Sequence, residues 1–257
     1  NAAVDVEVME VSRGEIEFCV KGASPIILNK LSEKVKRELL LPKGRKTATE
    51  KAGSLKHNPY AEFRSSAHWV APGSDTLLAI QTTAFKGAMM TAALDMEGLT
   101  KASVGRHVYV TGDYVGIYGV PKLLMSAVRS ADMNKTPDIR TRVIVPEWAA
   151  KVRVRFVKPL MRDKIVANLM AAAGIISGVG DFRPEKGKGA YGQFELVSAD
   201  DAEHKRITKE GKRGVQVSAM NSPEMYDEDT ADLMAWWVDE AKNRGWDVSV
   251  DGTAAKV

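Results

Sequence analysis

The stretch AKVRVRFVKPL, starting at Ala150, constrains the fold most strongly. Side chains alternate across a strand, so Val152, Val154 and Phe156 share one face and Lys151, Arg153 and Arg155 the other. One face is built for a core and the other for water, which is the habit of an antiparallel sheet covered on one side. EIEFCV, from Glu15 to Val20, alternates in the same way, and GASPIILN follows it as a turn and an apolar run. SEKVKRELL has a capping serine at Ser32 and helical spacing, and stops at Pro42. AEFRSSAHWV, from Ala61, reads as a strand or strand entry. TLLAIQTTAFKGAMMTAALDM reads as a strand and then a helix from about Thr83 to near Gly98. RHVYVTGDYVGIYG, from Arg106, reads as a hairpin with a TGD turn. A polar arm from Val128 closes into a strand, RDKIVANLMAAAGIIS is helical, and QFELV is the last core strand.

This order predicts an α+β fold: a split βαβ, ferredoxin-like core in which an antiparallel sheet carries its helices on one face. The core spans residues 1–200, with basic insertions at about 42–59 and 128–142. Residues 201–257 form a C-terminal extension with one helix, Tyr226 to Arg244, ending at Gly245. Trp236 and Trp237 lie roughly 100° apart on that helix, so at most one is the main core anchor.

The chain is mildly basic, with a net charge of +4 and a pI near 9.0, compatible with polyanion binding. From Lys43 to His57 it carries five Lys/Arg against one Glu and almost no apolar residue, which predicts a long basic loop. The lone cysteine, Cys19, excludes a disulfide within one chain and reads as a small buried residue. No apolar run is long enough to span a bilayer and no signal peptide opens the sequence, so a cytoplasmic protein is expected.

The segment GVGDFRPEKGKGAYGQFELV, from Gly178 to Val197, holds five glycines: Gly178, Gly180, Gly187, Gly189 and Gly192. GKGAYG matches G-x-G-x-x-G, but a helix precedes it and a strand follows, the reverse of a dinucleotide-binding turn. A P-loop is excluded too: Lys188 is followed by Gly189, with no hydroxyl for magnesium. No nucleotide cofactor is therefore expected. Two readings remain. The loop contacts phosphates through its amides with Arg183, Lys186 and Lys188, or its glycines simply let helix and sheet approach each other.

The run GIISGVGDFRPEKGKGAYGQFELV after a helix resembles the glycine-rich signature loop of the RAMP superfamily, the RNA-binding proteins of CRISPR systems. AFKGAMMTAA, from Ala84, resembles that superfamily's FKG-then-helix segment. The sequence is also similar, over roughly residues 15–198, to uncharacterised RAMP-like proteins of bacteriophages and prophages. The resemblance implies an RRM-like core that binds single-stranded nucleic acid, RNA above all. It implies copies assembling head to tail along the strand, gripping it with a palm and a thumb, with other ribonucleoprotein subunits as possible partners. The palm would be Lys151, Arg153 and Arg155, with Lys86 reaching a phosphate. Finger and thumb would be the loop with Lys43, Arg45, Lys46 and Lys51 and the arm with Arg129, Lys135, Arg140 and Arg142. Tyr60, Phe63, Trp69, Phe182 and Tyr191 are the candidates for stacking on bases.

Some members of that superfamily cut RNA, with a histidine base or a metal-assisted thumb aspartate. His57, Asp132 and Asp138 are the candidates here. His57, His68, His107 and His204 are scattered and no zinc spacing occurs, so neither metal nor catalysis is expected. The alternatives are a phage recombination or replication accessory that coats or anneals single-stranded DNA, an endoribonuclease, and a partner-binding protein without nucleic-acid affinity.

Overall fold

Strand β1 (Ser12–Gly22) runs between β9 (Ala149–Lys158) and β10 (Phe194–Val197), antiparallel to both. The structure, a computed structural model, describes residues 10–31, 36, 39–41, 47, 55–129, 137–186 and 188–256. The expected helix at Ser32–Pro42 and the basic loop after it fall largely outside them.

On the far side of β9 run β5 (Val108–Val110) and β6 (Tyr114–Tyr118), and then β4 (Leu78–Gln81) and β3 (His68–Trp69). Two helices cross behind this sheet: α2 (Thr82–Ala92), and α4 (Asp163–Ala172) extended by a π-helical turn to Ser177. The order β10-β1-β9-β5/β6, all antiparallel, is consistent with the ferredoxin-like layout. Val152, Val154 and Phe156 are buried against Phe85, Met89, Leu169 and Met170, as the alternation requires.

Three sequence readings are corrected and one helix is added. RHVYVTGDYVGIYG is not a hairpin. Val108 pairs with Phe156 and Ile117 with Ala150, so both segments run the same way along β9 with three extra residues between them. The TGD segment bulges rather than reverses, because Thr111 N–H bonds the Arg153 carbonyl at 2.8 Å and keeps the chain on β9. AEFRS is helical, not extended, and only His68–Trp69 is strand: α1 (Pro59–Ser65) starts where Asn58 accepts from Ala61 N–H, with a proline in its first turn. A further helix, α3 (Lys101–His107), was hidden by its weak pattern and is closed by a Thr100–Ser103 capping box. Where one C-terminal helix was expected there are three: α5 (Ala202–Glu210), α6 (Arg213–Asn221) and α7 (Glu228–Asn243), followed by a small ribbon of β11 (Trp246–Val248) and β12 (Ala254–Lys256).

The helices are also not confined to one face. Ile207 of α5 packs on Tyr118 and Ala149 on the open side of the sheet, and Lys21 of β1 reaches Glu195 at 2.9 Å and Glu203 at 2.7 Å. From α6, Gln216 is fully buried. Its amide donates to the Ile117 and Gly119 carbonyls, and its oxygen accepts from Leu77 and Leu78. On α7, Trp237 is core and Trp236 is 65% exposed.

The polar arm is a hairpin of β7 (Lys122–Arg129) and β8 (Pro137–Val145). Its register runs from Lys122 opposite Ile144 to Arg129 opposite Pro137. β2 (Ile26–Leu28) adds to β8 as a third strand. One face of this small sheet, with Val143 and Val145, joins the main core; the other, with Ile27, Leu124 and Ile144, packs against Tyr191 and Tyr226.

Candidate nucleic-acid interface

The glycine loop is held against the protein's own backbone. Asp181 N–H bonds the Ile27 carbonyl at 2.9 Å, Gly192 N–H the Pro25 carbonyl at 2.8 Å, and Val179 N–H the Gly192 carbonyl at 2.9 Å. A Cβ at Gly189 would overlap the Phe182 carbonyl, and one at Gly192, where φ is +72°, would overlap that of Val179. Gly178 and Gly180 also sit at positive φ, beside Gly192 and Ile27 respectively. Of the two sequence readings, close self-approach accounts for these four glycines; Gly187 lies outside the described residues.

Five of the fifteen cations named from the sequence have protein partners among the described residues. Arg142 is not on the surface: 5% exposed, it donates to Asp181 and, at 2.7 Å, to Ser126 Oγ. It therefore pins the glycine loop to the β7–β8 hairpin. Arg183 turns back onto its own loop, bonding Glu185 at 2.8 Å and the Gly180 carbonyl at 2.9 Å, while Glu185 accepts from Thr91 of α2. On the open sheet face, Arg153 bonds Glu17 at 3.0 Å and Arg155 bonds Glu15, across the β1–β9 ladder. The Arg155 guanidinium holds the Glu15 carboxyl below its usual range. Lys86 stands over the Tyr109 ring at 4.5 Å. Lys151, Arg140, Lys186 and Lys188 are exposed. Arg129 ends β7, and Lys43, Arg45, Lys46, Lys51 and Lys135 lie outside the described residues. Cys19 is half-buried on the open face, not in the core.

Cations and exposed rings meet elsewhere. A groove of about 490 Å³ beside the edge strand β3 is lined by Lys30, Lys36, Arg64, His68, Trp69 and Tyr114. Its position follows from local bonds. Lys30 N–H donates to the Ser66 carbonyl at 2.7 Å, holding the chain after β2 against the end of α1. Ser66 Oγ accepts from Val143 N–H at 2.8 Å, and Arg64 in the last turn of α1 reaches Asn221 at 3.3 Å. β3 then presents Trp69, 49% exposed, and Tyr114 of β6, 41% exposed, leans to within 5.1 Å of the His68 ring. Burial, and then the charges of Lys30 and Lys36, push the His68 pKa down, so the ring is neutral near pH 7. His68 also lines a second recess of about 270 Å³ that runs past Asn29, Gln81 and Thr83 to Asp181 and Arg183 of the glycine loop. His68 thus lines both recesses. Sequence reading found Trp69 but missed Lys30, Lys36, Arg64, His68 and Tyr114, which come from four separate segments and share no spacing.

The catalytic candidates are placed differently. His57 sits with Nδ1 2.8 Å from Glu62 and Nε2 3.0 Å from Asp138, which also accepts from Lys56 at 2.6 Å. Glu62, then Asp138, raises the His57 pKa against the effect of burial. Both ring nitrogens thus face carboxylate oxygens of the protein itself. Asp132 is outside the described residues. Among the described residues no group of three His, Cys, Asp or Glu side chains is arranged to hold a metal ion, and no helix is long and apolar enough to cross a membrane.

No protein-family model and no curated protein matches this chain. Among solved structures, Cmr6 from Pyrococcus furiosus is similar at 11% identity, with 72% of this chain and 98% of that one covered and a TM-score of 0.38. A chain of the type III-B Cmr-beta complex bound to cognate target RNA is similar at 14% identity, covering 72% of this chain and 59% of that one, with a TM-score of 0.35.

Proposed function

We propose that this chain binds single-stranded nucleic acid, RNA in preference to DNA, does not cut it, and assembles as repeated copies head to tail along the strand. The observation that carries the reading is the groove of Lys30, Lys36 and Arg64 with the exposed rings of Trp69 and Tyr114. Cations meet phosphates and rings take bases, the combination that single-strand binders use. On the other side of His68 a second recess reaches the glycine loop, whose Lys186 and Lys188 are exposed. The resemblance to RAMP loop and FKG segments supports RNA as the strand. The open sheet face contributes less than its sequence implies, because its two arginines already face Glu15 and Glu17.

The test is anisotropy with labelled single-stranded RNA, single-stranded DNA and duplex DNA at two salt concentrations, with light scattering on the same samples. Salt-sensitive binding to single-stranded RNA is expected, with mass growing in proportion to strand length. Replacing Trp69 and Tyr114 by alanine together should weaken it about tenfold or more, since each stacked base contributes roughly 1–3 kcal/mol. Preference for DNA would favour the recombination accessory. A cut product would favour the nuclease, and no binding to any strand at low salt would overturn the reading.

A further inference from the structure

On the other side of the glycine loop lies a groove of opposite character, about 660 Å³ in volume. Strand β7 forms one wall from Leu124 to Val128. Helix α7 forms the other with Asp229, Asp232, Leu233 and Trp236, and Phe182 and Tyr191 close one end. Its walls are mainly apolar and aromatic, and its rim is acidic. Phe182 is held at φ +53° with half its surface exposed, a backbone region a bulky residue rarely adopts without local compensation.

β7 is the outer strand of its sheet, and its edge is closed along only part of its length. Leu123 N–H donates to the Glu224 carbonyl at 2.8 Å, and Leu123 O accepts from Tyr226 N–H at 2.9 Å. Met125 N–H donates to Thr230 Oγ1 at 3.3 Å. Strand alternation sends the N–H and C=O of Ala127 to the same edge. There, among the described residues, neither has a partner. A free ladder edge beneath an apolar groove is a template for another strand.

We infer that this edge docks an extended, arginine-bearing segment of a partner protein as an added strand between β7 and α7. Charge selects the occupant. Asp229 and Asp232 make no ion pair in the described structure, and they repel a phosphate backbone while attracting cationic side chains. The planar guanidinium stacks on rings such as Trp236 and Phe182, so arginine fits better than lysine. The proposal is independent of nucleic-acid binding, which uses the other side of the glycine loop.

The probe is a labelled decapeptide alternating arginine and valine, titrated against the full chain and followed by anisotropy and by amide shifts in NMR. Saturable binding with shifts at Ala127 is expected. Asp229→Lys with Asp232→Lys should weaken it about tenfold or more, as should Ala127→Pro, since proline is tolerated on an outward-facing edge but removes the donor. Methylating alternate amide nitrogens of the peptide tests the same bond without altering the protein. The proposal is overturned if the peptide fails to bind, or if it binds equally well when methylated. Displacement of the peptide by single-stranded RNA would also overturn it. So would a dimer that the double lysine variant dissolves while no peptide binds, because that would give the face to a second copy.

Discussion

Gly192 and Gly87 look alike in sequence, each within a segment resembling one family's motifs, yet their surroundings differ. Gly192 has φ +72° and no room for a Cβ beside the Val179 carbonyl, whereas a Cβ at Gly87 on α2 would meet nothing within 4 Å. Gly192→Ala should therefore lower unfolding free energy by at least about 2 kcal/mol. Gly87→Ala should raise it by roughly 0.5–1 kcal/mol, because helix-interior glycine carries an entropic penalty. Urea denaturation of both variants checks this; equal effects would contradict the packing argument. Arg142 teaches the same lesson in reverse. Its place in the polar arm suggests a surface cation, but its guanidinium is buried between Ser126 and Asp181.

Between elements, His57 joins the start of α1 to β8 through Glu62 and Asp138, and Lys56 also faces Asp138. The His57 pKa is raised above 6.5. Its contribution to stability is therefore complete below about pH 6.5 and lost as pH rises through the folded value. The Asp138 pKa is lowered from 3.8, offsetting its burial, by Lys56 and His57. Its contribution persists until pH falls through that lowered value. The clamp is strongest in weak acid. Wild type should lose melting temperature between pH 6 and 8 more steeply than His57→Gln, and parallel slopes in thermal scans would show that the clamp is energetically idle.

Across the whole molecule, the glycine loop separates two grooves, one lined by cations and rings, the other apolar with an acidic rim. The acidic rim should keep phosphate out of the second by charge, so the two faces should act independently. Asp229→Lys with Asp232→Lys should leave single-stranded RNA affinity within about twofold, and Trp69→Ala should leave peptide affinity likewise unchanged. Paired titrations of both probes against both variants test this, and coupling between the faces would mean that they are one site.

The sequence by itself determined the sheet and its core face. Alternation in β1 and β9 and the helical spacing of α4 are local, and burial follows directly from them. It also determined that the glycines were required. The tertiary structure alone decided what they approach within the protein: Gly189 lies against the Phe182 carbonyl and Gly192 against that of Val179. It also decided which charges are neutralised, because Arg153 meets Glu17 only through the pairing of strands 136 residues apart. The groove itself is assembled from the chain after β2, the end of α1, β3 and β6. Only the register of the sheet and the docking of α1 on β8 bring those segments together, and neither is encoded in any single stretch of sequence.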